Sequence, residues 1–133
     1  LTKPYPGVID ALIRLREKGH RLGICTNKPI APCRAILTHF NLTNHFDTIV
    51  GGDSLPVRKP NPEPLQEAID QLKGGIAIYV GDSEVDAETA RRANIPFVLF
   101  TNGYRKTSVD QLHHNAAFDD FENLSDIIEM IGV

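Results

Sequence analysis

The chain has 133 residues, of which 41% are apolar or aromatic and 23% charged, with a formal net charge of -3. That length fits one domain with an ordinary core. The charge pattern holds no basic stripe for nucleic acid, and no apolar run approaches the roughly 20 residues that cross a bilayer. The opening Leu1 to Pro6 has neither a signal-peptide nor a transit-peptide pattern. Cys25 and Cys33 match no metal or redox spacing and are expected to be reduced structural thiols of a cytoplasmic protein. Met130 is the single methionine, so Leu1 is not expected to be where translation starts.

Taken in order, Val8, Ile9, Leu12 and Leu15 form an apolar stripe at helical spacing that Gly19 ends. His20 to Thr26 reads as a strand ending at Thr26-Asn27. Pro29 or Pro32 opens the next helix, which buries Ile36, Leu37 and Phe40 and stops near Asn41. Asp47 to Gly51 is a third apolar unit, Thr-Ile-Val, ended by Gly51-Gly52. The loop from Asp53 to Pro64 is rich in proline, which stiffens it and lets it hold side chains in place. A helix through Leu65, Ala68, Ile69 and Leu72 follows. Ile76 to Val80 then reads as a short strand buried on both faces. Ser83 starts a helix that Asn94 closes before Pro96, and Phe97 to Phe100 is another buried strand. Ser108 can cap a short helix to His113, and a final helix carries Leu124, Ile127, Ile128 and Ile131. Strand and helix alternate, which predicts an α/β fold: a parallel sheet with helices on both faces.

Ligands of such sheets bind outside the carboxyl ends of the strands. Thr26-Asn27, Lys59, and Asp82 with Asp86 all fall at strand ends or in adjoining loops. A hydroxyl, an amine and paired carboxylates suit phosphoryl transfer, which needs positioning and charge neutralisation more than covalent chemistry. Thr26 can donate to a phosphoryl oxygen, helped by amides at the start of the next helix. Lys59 can supply a point charge. Asp82 can hold magnesium, which prefers oxygen ligands. Each residue also has a plainer role available. Thr26 can cap a helix, Lys59 can be a solvated loop lysine, and Asp86 can complete a capping box with Ser83.

Thr26-Asn27-Lys28-Pro29, Arg58-Lys59-Pro60-Asn61-Pro62 and Gly81-Asp82-Ser83-Glu84-Val85-Asp86 together resemble the second, third and fourth motifs of the haloacid dehalogenase-like hydrolases. Within that superfamily the forms of these motifs are most similar to the phosphoglycolate phosphatases. The resemblance implies a Rossmann-like three-layer parallel sheet, a Mg²⁺ cofactor, and hydrolysis of a small phosphorylated metabolite through an aspartyl-phosphate. It makes Thr26 and Lys59 phosphate holders and catalytic groups, and adds Asn27 as a phosphate contact. It makes Asp82 a magnesium ligand, with Asp86 fixing either the ion or Lys59.

The pattern also departs from that family. Its first motif, a strand ending in Asp-x-Asp that carries the nucleophile, is missing, as is its helical cap. The only Asp-x-Asp-like candidates, such as Asp119-Asp120, are read as having no apolar strand in front. Residues 1–133 are therefore expected to be the C-terminal part of a single core domain, inactive alone, whose partner is an N-terminal segment of the same protein. The absent strand would lie between those ending at Thr26 and Asp82, leaving both with unpaired edges. Other readings are a sugar-phosphate phosphatase or phosphomutase of the same superfamily, a non-catalytic scaffold with this fold, or a phospho-acceptor signalling domain. The bracketing prolines at Lys59 and the Asp82/Asp86 pair favour the hydrolase over the last of these.

Overall fold

A computed structural model describes residues 6–73, 75–102 and 112–132. The helix α1 spans Val8–Glu17, strand β1 Gly23–Cys25, α2 Ile30–His39, β2 Thr48–Val50 and α3 Glu63–Gln71. Then come β3 Tyr79–Gly81, α4 Glu84–Ala93, β4 Phe97–Phe100, β5 Ala116–Phe118 and α5 Leu124–Gly132. Among the described residues every strand pairing is parallel, with α2 carrying the chain back from β1 to β2 and α4 from β3 to β4.

β4 shows why the layers form. Val98 and Phe100 face Ala11 and Leu15 of α1 and Leu124 and Ile128 of α5, while Phe97 and Leu99 face Ala87 and Ala90 of α4. Side chains alternate along a strand, so an unbroken run of four apolar residues requires cover on both faces. Phe97, Val98 and Leu99 are fully buried in consequence. The α/β three-layer expectation therefore holds.

The sheet is divided. β1 pairs with β2, and β3–β4–β5 form a separate set. A cleft of about 600 Å³ lies between them, lined on one side by Leu22 to Cys25 and on the other by Ile78 to Val80. Thr26 N–H bonds the Val50 carbonyl. Backbone groups alternate in direction along a strand, so those of Cys25 turn the other way, into the cleft.

Several local expectations change. The segment beginning at Ile76 is not a strand buried on both faces: only Tyr79–Gly81 is paired, each residue is half-buried, and Ile76 is 78% exposed. Among the described residues no strand pairs with β3 on its cleft side, so it is covered only in part. β1 is likewise three residues long and excludes His20 to Leu22. The Ala116–Phe118 strand was not anticipated, because Ala-Ala-Phe has little strand propensity. It directly precedes Asp119-Asp120, so that pair does follow a strand. The strand is the outer one of its set, however, and the Asp120 carboxylate caps the following turn by accepting Glu122 N–H at 2.9 Å. His113 is exposed and His114 lies outside any helix. The helix expected from Ser108 lies outside the described residues as far as position 111. Among the described residues no helix is long and apolar enough to cross a membrane.

Candidate active site

The carboxyl ends of β1, β2 and β3 bring the predicted residues together. At the tip of β1 the Thr26 hydroxyl oxygen accepts Lys28 N–H at 3.1 Å, which leaves the hydroxyl hydrogen to be donated elsewhere. Gly51 and Gly52, just past β2, press against this turn. A Cβ on Gly52 would fall 2.0 Å from the Asn27 carbonyl oxygen, and one on Gly51 would fall 2.7 Å from Ile30 N. Only residues without a side chain allow this approach. The first amide of α2 is not open to a ligand, because Ile30 N–H donates to Asp53 Oδ1 at 2.9 Å.

Asn27 does something other than expected. Its side-chain Nδ2 donates to the Lys59 carbonyl at 3.1 Å, and its Oδ1 accepts Lys59 N–H at 3.0 Å. Both ends of the amide thus grip the backbone of the proline-rich loop, where a side-chain contact to phosphate was anticipated. The loop is further tied by Arg58 Nε to the Gly52 carbonyl at 3.2 Å, so Arg58 also has a partner in the protein.

From that loop Lys59 reaches inward. Its Nζ donates to Asp86 Oδ1 at 2.6 Å and to the Tyr79 hydroxyl at 2.9 Å. The Lys59 and Asp86 side chains are 9% and 12% exposed, so Lys59 is not a solvated loop lysine. Asp86 Oδ2 accepts Asp82 N–H at 3.1 Å, and Asp86 N–H donates to the Ser83 hydroxyl at 3.2 Å. The Ser83 cap is therefore real, but the Asp86 carboxylate accepts Asp82 N–H rather than Ser83 N–H, so the expected capping box is only half formed. The carboxylate joins Lys59 to the backbone of Asp82. Gly81 is required beneath it, since a Cβ there would lie 2.5 Å from Asp86 Oδ2.

The electrostatics follow from this burial. Desolvation raises the pKa of Asp86, but the adjacent Lys59 charge and hydrogen bond, with the Asp82 and Ser83 contacts, outweigh it and hold the carboxyl below its usual range. Burial first, then the neighbouring Asp86 charge, drives the Tyr79 hydroxyl far above the ordinary phenol range, so it stays neutral. Burial also raises the Cys25 thiol, with Lys59 opposing. Both cysteines are free and buried.

Of the predicted residues, Asn27, Lys59, Asp86 and the Asp82 backbone thus form one hydrogen-bonded group, and Thr26 adjoins it through the chain, its hydroxyl bonding Lys28 N–H. Asp86 has one oxygen on Lys59 and the other on Asp82 N–H. Among the described residues no group of three or more His, Cys, Asp or Glu side chains is placed to hold a metal ion. Sequence reasoning passed over Tyr79. The signal was present, since a phenol inside an otherwise aliphatic strand must find a partner for its hydroxyl.

A parallel Rossmann-like scaffold with these three motifs at its strand tips defines a class, and comparison with known proteins agrees. The profile of the haloacid dehalogenase-like hydrolases matches residues 1–100, and the chain belongs to that family. It is 54% identical over 125 residues to a phosphoglycolate phosphatase of Rhodobacter capsulatus, covering 94% of this chain and 57% of that protein. It is 47% identical over 131 residues to a phosphoglycolate phosphatase of Cereibacter sphaeroides (strain ATCC 17029 / ATH 2.4.9), covering 98% of this chain and 60% of that one. The crystal structure of a predicted phosphoglycolate phosphatase from Haemophilus somnus 129pt superposes with a TM-score of 0.88 at 33% identity, over 94% of this chain and 57% of that one. The chain thus spans a little over half the length of these relatives.

Proposed function

We propose that the chain is the C-terminal part of the core of a cytoplasmic phosphomonoesterase acting on 2-phosphoglycolate or a similar small metabolite. The observation that carries this reading is the buried Lys59 ammonium, held at 2.6 Å by Asp86 and gripped through its backbone by Asn27. A cation fixed beside the Thr26 turn is suited to neutralise phosphoryl oxygens. The Thr26 hydroxyl would donate to one of these oxygens and the Lys59 ammonium to another.

Magnesium takes one or two carboxylates plus water and substrate oxygens, so Asp82 at the end of β3 fits as one ligand. Asp86 would orient it through the Asp82 backbone. When bound, the ion would polarise the phosphoryl group and neutralise part of its charge. The nucleophile of the proposed aspartyl-phosphate route is assigned to an N-terminal segment of the same protein. The cleft between β1 and β3 supports this assignment. It is about 600 Å³ in volume, and backbone groups of its rim strands face into it.

The test is release of inorganic phosphate by the full-length protein from a panel of phosphomonoesters, with and without Mg²⁺. Magnesium-dependent turnover with 2-phosphoglycolate preferred is expected. A panel with no turnover at all would favour a non-catalytic scaffold.

A further inference from the structure

We propose that Tyr79 is a positioning residue for Lys59, setting the direction of its ammonium and its distance from the Thr26 turn; this rests on the phosphatase reading above. The Tyr79 hydroxyl stands at the tip of the cleft and donates to the Cys25 carbonyl at 2.9 Å. With its single hydrogen engaged there, its lone pairs accept from Lys59 Nζ at 2.9 Å. The phenol therefore links the cation to the residue immediately before Thr26, across a gap that no backbone pairing closes among the described residues. An ammonium has three hydrogens. Asp86 fixes one, Tyr79 fixes a second, and the third is thereby aimed. Asp86 alone would leave the group free to rotate about the Lys59–Asp86 axis. The Tyr79 hydroxyl also lies 3.3 Å from Asp86 Oδ1, so all three polar groups meet. The ring packs against Phe97 at 6.0 Å between centroids, and Tyr79→Phe would keep that packing while removing the hydroxyl.

Steady-state kinetics of the full-length protein on 2-phosphoglycolate with Mg²⁺ tests this, using wild type, Tyr79→Phe, Lys59→Ala and the double variant. Loss of a hydrogen bond to a charged group predicts a fall in kcat of about 10-fold to 100-fold, with KM little changed. In the Lys59→Ala background the same change should have no further effect, because its target is gone. A purely structural role would instead lower activity equally in both backgrounds, and that result overturns the inference. So does an undiminished kcat for Tyr79→Phe. Should that variant fold poorly, 3-fluorotyrosine at position 79 keeps the shape and weakens the hydroxyl as an acceptor; a reduced kcat supports the inference and an unchanged one overturns it. A wild-type protein that turns over no phosphomonoester defeats the phosphatase reading and this inference together, whereas normal turnover by both wild type and Tyr79→Phe defeats the inference alone.

Discussion

Lys59 Nζ and Asp86 Oδ1 meet at 2.6 Å, one from the loop after β2 and the other from the first turn of α4. Removing one partner of a buried pair strands the other charge, so Asp86→Ala should cost about 3–5 kcal/mol at neutral pH. The pH dependence has a definite sign. Asp86 has a lowered pKa in the folded chain, so in the acid window the unfolded chain binds more protons. The pair's contribution is therefore complete above the unfolded value of about 3.9 and is lost as pH falls through the lower folded value. Urea midpoints of the full-length protein and of Asp86→Asn, measured from pH 7 to pH 2, should converge on acidification. A constant gap between them would show that the carboxylate does not titrate as described.

Asp82 is expected to be the magnesium ligand supplied by this chain. Asp82→Asn keeps the backbone N–H that Asp86 accepts but removes the ligand charge. The full-length variant should need a markedly higher Mg²⁺ concentration for half-maximal phosphate release. A metal titration identical to that of wild type would remove Asp82 from that role.

Much of this arrangement is legible in the sequence, for reasons that differ by residue. The β4 run Phe97 to Phe100 announces a strand covered on both faces, and the Ser83 cap and Asn94 stop bound α4 as anticipated; Asn94 adopts φ 58. Thr26, Lys59, Asp82 and Asp86 stand out in the sequence because, although each has a plainer role available alone, all fall at strand ends or in adjoining segments on one edge of the sheet. The partners of Asn27 were not legible. An amide that grips a backbone 32 positions away leaves no local pattern. Periodicity also overstated β3, because apolar character shows what a strand could bury, not whether a neighbour is present to cover it. Tyr79 passed without notice inside that run for the same reason.

The divided sheet carries a consequence for folding. Backbone groups of β1 and β3 line the cleft without pairing to one another, and open strand edges of this kind favour aggregation. The 133 residues expressed alone are therefore expected to give no cooperative thermal transition by circular dichroism. The full-length protein should melt cooperatively. A sharp, reversible transition from the shorter polypeptide would show that nothing further is needed to complete the core.

The most direct measurement is kcat/KM for phosphate release by full-length wild type and Lys59→Ala under saturating Mg²⁺. Removing a preorganised charge from beside the phosphoryl group predicts a fall of at least about 100-fold. Equal values for the two proteins would contradict the assignment of Lys59, and with it the site built around that ammonium.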